Sequence, residues 1–266
     1  AFSDIEKTYA FYGQAAYRFN IGSMPVDGVV GARVVNTVQN LAGNGVESKQ
    51  NYVDVLPSIN IRFGLADNLQ LRLAAGKTLT RPNFVDLNPL VAYVPSGSTG
   101  NQGYAGTGSG GNPNLAPIES QAYDATLEYY ISNNASITAA AFYRKFDGYI
   151  QVYSEREQYN GQDWLVSRPR GVEGTLKGIE LAYQQFFDFL PGALSGFGAQ
   201  INGTYIEGKN DDPLNGGTQR LVNVSKYSYN LVAIYEKYGI SARLAYNWRS
   251  SFVDSYTSGG VQAGSI

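Results

Sequence analysis

The sequence predicts an all-β chain whose antiparallel strands build the wall of a transmembrane β-barrel, and three observations predict it. Apolar and polar residues alternate with a period of two from end to end, the connections are by turns short and long, and aromatic side chains gather at the ends of the apolar faces. The composition agrees. Of 266 residues 21 are Tyr and 31 are Gly, and charged residues reach only 16%, against ~25% in a typical soluble domain. No run of 18 apolar residues could cross a bilayer as a helix, but a barrel strand hides its hydrophobicity by alternation.

Each strand follows from its alternation. In the first, spanning 6–19, Tyr9, Phe11, Ala15, Tyr17 and Phe19 share one face and Thr8, Gln14 and Arg18 the other. A weaker second strand spans 29–38. In the third, 52–63, Val53, Val55, Ile59, Ile61 and Phe63 oppose Asp54, Ser58, Asn60 and Arg62. The fourth sets Leu69, Leu71, Leu73 and Ala75 against Gln70, Arg72 and Ala74, and the fifth sets Tyr123, Ala125, Leu127 and Tyr129 against Asp124, Thr126 and Glu128. Weaker strands follow at 136–153, 174–187 and 197–206. The ninth carries Tyr227, Tyr229, Leu231, Ala233 and Tyr235, and the tenth Ile240, Ala242, Leu244, Tyr246 and Trp248. This gives about ten strands and no helix, with Leu71 and Ile61 facing lipid and Arg72 and Asn60 facing the lumen.

The connections order the strands. Short links at 20–27, 64–68, 132–135, 188–196 and 236–239 alternate with longer ones at 39–51, 81–118, 154–173 and 207–222. Outer-membrane barrels have short periplasmic turns and long extracellular loops. Aromatics flank the apolar faces, and Tyr227 and Tyr235 stand ~26 Å apart along a strand at ~3.3 Å per residue. At a tilt of ~40° that is roughly 20 Å, near the ~25 Å apolar band of such barrels. With short turns inside, both ends of the chain fall outside. A ten-stranded sheet cannot end in lipid with open edges, so residues 1–266 read as one internal piece of a larger barrel.

Several functions are excluded. With no His and no Cys there is no Ser-His-Asp triad, thiolate nucleophile, zinc finger or His-held haem. No enzyme is expected, and no cofactor. A net charge of −2 leaves no footprint for nucleic acid, and the first residues carry no signal peptide. Gly106-Thr107-Gly108-Ser109-Gly110-Gly111 imitates a phosphate loop without the strand-to-helix context, and reads as a flexible loop. Asn210, Asp211, Asp212 and Asn215 could offer oxygens to Ca²⁺, but read as a polar turn, so no metal site is assigned.

The stretches 51–63 and 71–84, the box Gly111-Asn112-Pro113-Asn114-Leu115-Ala116-Pro117-Ile118-Glu119-Ser120, the segment 177–187 and Tyr246-Asn247-Trp248-Arg249 resemble, in this order, TonB-dependent outer-membrane receptors. In particular they resemble the subgroup found in Caulobacter- and Xanthomonas-type bacteria. The resemblance implies a 22-stranded barrel filled by a plug, of which this chain would be strands ten to nineteen, with the plug and the last strands absent. It further implies a Gram-negative outer-membrane location and import of a scarce nutrient with energy from the TonB–ExbB–ExbD complex, reached through the plug.

The long loops hold the candidate ligand contacts. Tyr93, Tyr104, Asn112, Asn114, Tyr153, Tyr159 and Trp164 could stack on sugar rings and bond hydroxyls. Arg81, Arg168 and Arg170 at the loop bases could meet anionic ligands or lipopolysaccharide phosphates, Arg81 and Arg168 being assigned to the substrate. An oligosaccharide is the expected cargo, with a ferric siderophore as the alternative and a passive porin-type channel as a further one. The Gly-rich stretch 97–111 is expected to close over the ligand, and outer-membrane lipid and lipopolysaccharide are the expected surroundings.

Overall fold

In a computed structural model of the chain, residues 2–43, 45–96, 103–256 and 262–265 are described. Ten strands form one antiparallel path in simple up-and-down order. They are β1 (Phe2–Ile21), β2 (Met24–Gly43), β3 (Val46–Ala66), β4 (Leu69–Thr80), β7 (Ile118–Ser132), β8 (Ala135–Tyr159), β9 (Gln162–Phe186), β10 (Phe197–Asp211), β12 (Tyr227–Lys237) and β13 (Ile240–Arg249). Between them lie the loop strands β5 (Val91–Pro95), β6 (Gly106–Gly110) and β11 (Thr218–Arg220), and a terminal hairpin joins β14 (Val253–Tyr256) to β15 (Gln262–Ser265). Each neighbour pair on the path is consecutive or skips only loop strands, as an up-and-down barrel wall requires.

Register turns alternation into two faces. Residues directly opposite in a ladder share a face. Tyr17, Gly28, Ile61, Leu73, Ala125, Ala141, Ile179, Tyr205 and Tyr227 form one unbroken row across β1 to β12. One residue along each strand, the row becomes Arg18, Asp27, Arg62, Arg72, Thr126, Ala140, Glu180, Thr204 and Ser228. The apolar row faces outward to lipid, and the polar row faces inward. The inner face is laced by Arg62–Asp27, Arg72–Glu128 (2.9 Å) and Arg144–Asp124 (3.1 Å). Leu71 and Ile61 take the outer face, and Arg72 and Asn60 the inner one, as the alternation predicts.

Glycines let rings lie across the ladder. Phe142 stands directly opposite Gly178, and a Cβ on Gly178 would run into that ring and the Tyr205 carbonyl. Gly178→Val should therefore destabilise the β8–β9–β10 wall by about 1–3 kcal/mol, the usual scale of overpacking. Thermal melting of the full-length protein in detergent would measure it, and an unchanged midpoint would show that the ring has room to move.

Two expectations on the long connections are corrected. Residues 154–173 are not a loop. They are the upper halves of β8 and β9, joined through Asn160 (φ 51°) and Gly161 (φ 72°), the left-handed pair that a tight hairpin needs. Most of 39–51 is likewise strand, as β2 and β3 run on to Gly43↔Val46. β8 carries one extra residue at Asp147–Gly148, where Phe146 faces Gly174 but Tyr149 faces Val172. Gly148 takes φ 76° there, as a β-bulge requires. The bulge inverts the alternation, so above it the odd-numbered residues of β8 face inward.

Candidate functional site

The raised β8–β9 hairpin and the loop 81–118 build one structure above the barrel wall. The loop leaves β4, forms the antiparallel pair β5–β6, and lays β6 parallel to β9, with Gly106 opposite Trp164 and Ser109 opposite Ser167. β10 pairs with β9 only as far as Asn210↔Gly174, so β6 covers an edge of β9 that would otherwise offer unpaired backbone groups. The Gly-rich segment from 104 onward is therefore not a flexible loop. Its glycines serve close approach, since a Cβ on Gly106 would strike the Trp164 ring and the Val94 carbonyl, and one on Gly111 would lie 2.6 Å from the carbonyls of Asp86 and Asn88. Residues 97–102 of the predicted closing stretch lie outside the described residues.

The loop is anchored at both ends of its span. Leu87 and Leu115 are buried with Leu41, and Phe2 and Ile150 pack on them. Gln50 Nε2 donates to the Pro113 carbonyl at 2.8 Å from the β3 side. On the β9 side Arg168 Nη1 donates to the Gly111 carbonyl at 2.7 Å, and Asn112 Nδ2 to the Pro169 carbonyl at 3.2 Å. The Ala105 amide donates to the Asp163 carbonyl at 2.7 Å.

Between hairpin and loop lies a pocket of about 380 Å³ lined by Asn112, Asn114, Tyr153, Glu155, Glu157, Arg168, Arg170 and three prolines, Pro89, Pro113 and Pro169. Its charges cancel in pairs. Arg168 grips Glu157 through two bonds of 2.5 and 2.9 Å, and Arg170 meets Glu155 at 2.6 Å. The hydrogen bond to Glu157 holds Arg168 more firmly charged than usual. Burial pushes the Tyr153 hydroxyl up to about 12, with the Asp212 carboxylate adding to the shift, so Tyr153 is a neutral donor at any physiological pH. Tyr153, Gln151, Asn210 and Gln219 form an amide and hydroxyl network below it, with Asn210 Nδ2 and Gln219 Nε2 both donating to Gln151 Oε1 at 3.2 and 3.0 Å.

An aromatic cluster closes the top of the hairpin. Tyr93 stacks on Tyr159 with centroids 4.1 Å apart, and Trp164 meets Tyr93 edge-on at 5.0 Å. Trp164 is only 7% exposed.

The structure brings most of the sequence candidates together. Asn112, Asn114, Tyr153 and Arg168 line the pocket, and Tyr93, Tyr159 and Trp164 form the cluster above it. Tyr104 lies apart, under the Arg156 guanidinium at 5.9 Å. Arg81 lies farther off, its Nη2 donating to Thr37 Oγ1 at 2.7 Å and its guanidinium paired with Glu6 at 3.3 Å. Glu155, Glu157 and Arg170 line the pocket without having been assigned to it. The Asn160-Gly161 dipeptide, a strong short-range hairpin signal, would have placed all three on one face of a single hairpin. Among the described residues no three His, Cys, Asp or Glu side chains gather to hold a metal. The Asp212 carboxylate instead accepts the backbone N–H groups of Leu214 and Asn215 and closes a turn.

Residues 2–265 match the family described as TonB dependent receptor-like, beta-barrel. No curated protein matches the chain in sequence. Among solved structures, the ferric enterobactin receptor PfeA of Pseudomonas aeruginosa, a variant in complex with enterobactin, superposes with a TM-score of 0.61 at 14% identity, over 98% of this chain and 44% of its own. The ferric citrate transporter FecA in its unliganded form gives 0.63 at 13% identity over 96% and 34%. The copper transporter OprC gives 0.60 at 17% identity over 94% and 35%. At these identities the likeness is one of fold, and the chain spans less than half the length of each.

Proposed function

Because the chain belongs to the TonB-dependent receptor-like β-barrel family and is a Gram-negative outer-membrane barrel, we propose that it forms the ligand-binding part of the wall of an active importer whose cargo is an oligosaccharide. The plug and the TonB-contacting region would belong to the rest of the protein, and 22 strands would complete the barrel. One observation carries the choice of cargo: the pocket under the loop is charge-balanced. Arg168 and Arg170 are each committed to a glutamate, so an anionic ferric chelate would meet no spare cation. What the pocket offers is amides, a protonated phenol and, just above, aromatic rings. These are the groups that bond hydroxyls and stack on the C–H faces of sugars. The resemblance of the 51–63 and 71–84 stretches to Caulobacter- and Xanthomonas-type receptors, a subgroup often associated with carbohydrate uptake, supports the same cargo.

A ferric siderophore is the second reading, and the likeness in fold to the enterobactin-bound PfeA favours it. Calorimetry of the full-length receptor against neutral oligosaccharides and ferric chelates separates the two. Heat with a neutral glycan and none with ferric chelates is expected, and tight binding to ferric chelates alone would overturn the choice. Glu155→Gln combined with Glu157→Gln, which frees both arginines, should weaken glycan binding and raise affinity for anionic ligands.

A further inference from the structure

We propose that the outward face of β9–β12 holds a phosphorylated lipid of the outer leaflet, gripped by Lys177, Lys209, Arg220 and Lys226 directly above the aromatic girdle. Lys177 and Lys209 sit 3.3 and 3.1 Å from the same carboxylate, Glu207. Arg220 is directly opposite Lys209 in the β10–β11 ladder. Lys226 carries its ammonium over the rings of Tyr205 and Tyr227, 5.5 and 5.7 Å from their centroids. Glu207, Lys209, Arg220 and Lys226 line one recess of about 250 Å³. Glu207 pairs with Lys177 and Lys209, and Asp211 follows two residues beyond Lys209 on the same face, so four cations stand against two carboxylates.

That ratio sets the patch apart from the ligand pocket, where arginines and glutamates match one to one. Position selects the occupant. Tyr205 and Tyr227 belong to the outward apolar row, and aromatic girdles of barrels lie at the level of the lipid headgroups. Cations one to four residues above that girdle meet headgroup phosphates, while the long lysine stems stay on apolar surface. Arg81, Arg168 and Arg170, offered by the sequence for lipopolysaccharide phosphates, are spent on Glu6, Glu157 and Glu155. The outward patch takes over that role. It is independent of the cargo, since it lies on the opposite face of the wall from the pocket.

The experiment uses the full-length receptor in phosphatidylethanolamine nanodiscs with graded lipid A, reading retained lipid A by native mass spectrometry. Combined Lys177→Gln, Lys209→Gln, Arg220→Gln and Lys226→Gln should lower lipid A affinity at least tenfold. Glu207→Gln should raise it, a gain that misfolding cannot mimic, and Lys226→Gln alone covers the case in which the fourfold variant fails to assemble. Unchanged retention in the fourfold or the Lys226 variant would overturn the proposal. So would equal or tighter binding of phosphatidylglycerol, or release of lipid A by inorganic phosphate.

Discussion

Leu73→Arg in the full-length protein is expected to cost about 2–4 kcal/mol of barrel stability, the scale for an arginine on the lipid face near the bilayer midplane. Leu73 sits in the middle of the outward run Leu69, Leu71, Leu73 and Ala75, and it stands opposite Ile61 on one side and Ala125 on the other. The charge would have neither water nor a partner there. Ala74→Arg is the internal control. Ala74 is opposite Asn60 and Asp124 on the inner face, where a guanidinium finds a carboxylate, and the change should stay within about 0.5 kcal/mol. Denaturant unfolding in lipid vesicles measures both. Equal losses would mean that the two faces have been assigned the wrong way round.

Trp164→Ala is expected to release the loop while sparing the wall. Truncating a buried tryptophan costs about 3–5 kcal/mol. Here the loss falls on the docking of β5 and β6, because Trp164 supports Tyr93 and Tyr159 and packs against Gly106. Loop segments open at lower free energy than core strands, so a loss of this size should leave β6 mostly undocked. Hydrogen exchange at the Ala105 amide, bonded to the Asp163 carbonyl at 2.7 Å, would accelerate, while amides of β10 and β12 keep their protection. Cargo affinity should fall with it. Protection at Ala105 equal to that of the unaltered protein would show that the ladder alone holds the loop.

The membrane half of this fold is legible in the sequence because lipid and lumen impose opposite demands on neighbouring residues. Tyr227 to Tyr235 and Leu69 to Ala75 could face only one way. Above the bilayer both faces of a strand meet polar surroundings, and the period disappears. Residues 154–159 and 162–173 are as regular as any strand, yet Ser154-Glu155-Arg156-Glu157 carries no apolar stripe. Gly106, Gly108 and Gly110 misled for a different reason. Glycine permits mobility, but it also permits contact, and composition alone cannot say which is in use. That Tyr93, Tyr159 and Trp164 come together was legible because large rings are costly to leave in water. Arg81's surroundings were not legible because its partners Glu6 and Thr37 lie on strands far away in sequence.

The extra residue at Asp147–Gly148 puts the two halves of one strand in different frames. Below it the lumen is written in even positions of β8, as at Arg144, and above it in odd ones, as at Tyr153 and Glu157. The bilayer half and the recognition half of the same strand can therefore vary without recoding each other. The hairpin becomes an exchangeable cassette, with its seam at Gly148, and a segment transplanted there keeps its meaning only if it enters on the odd frame.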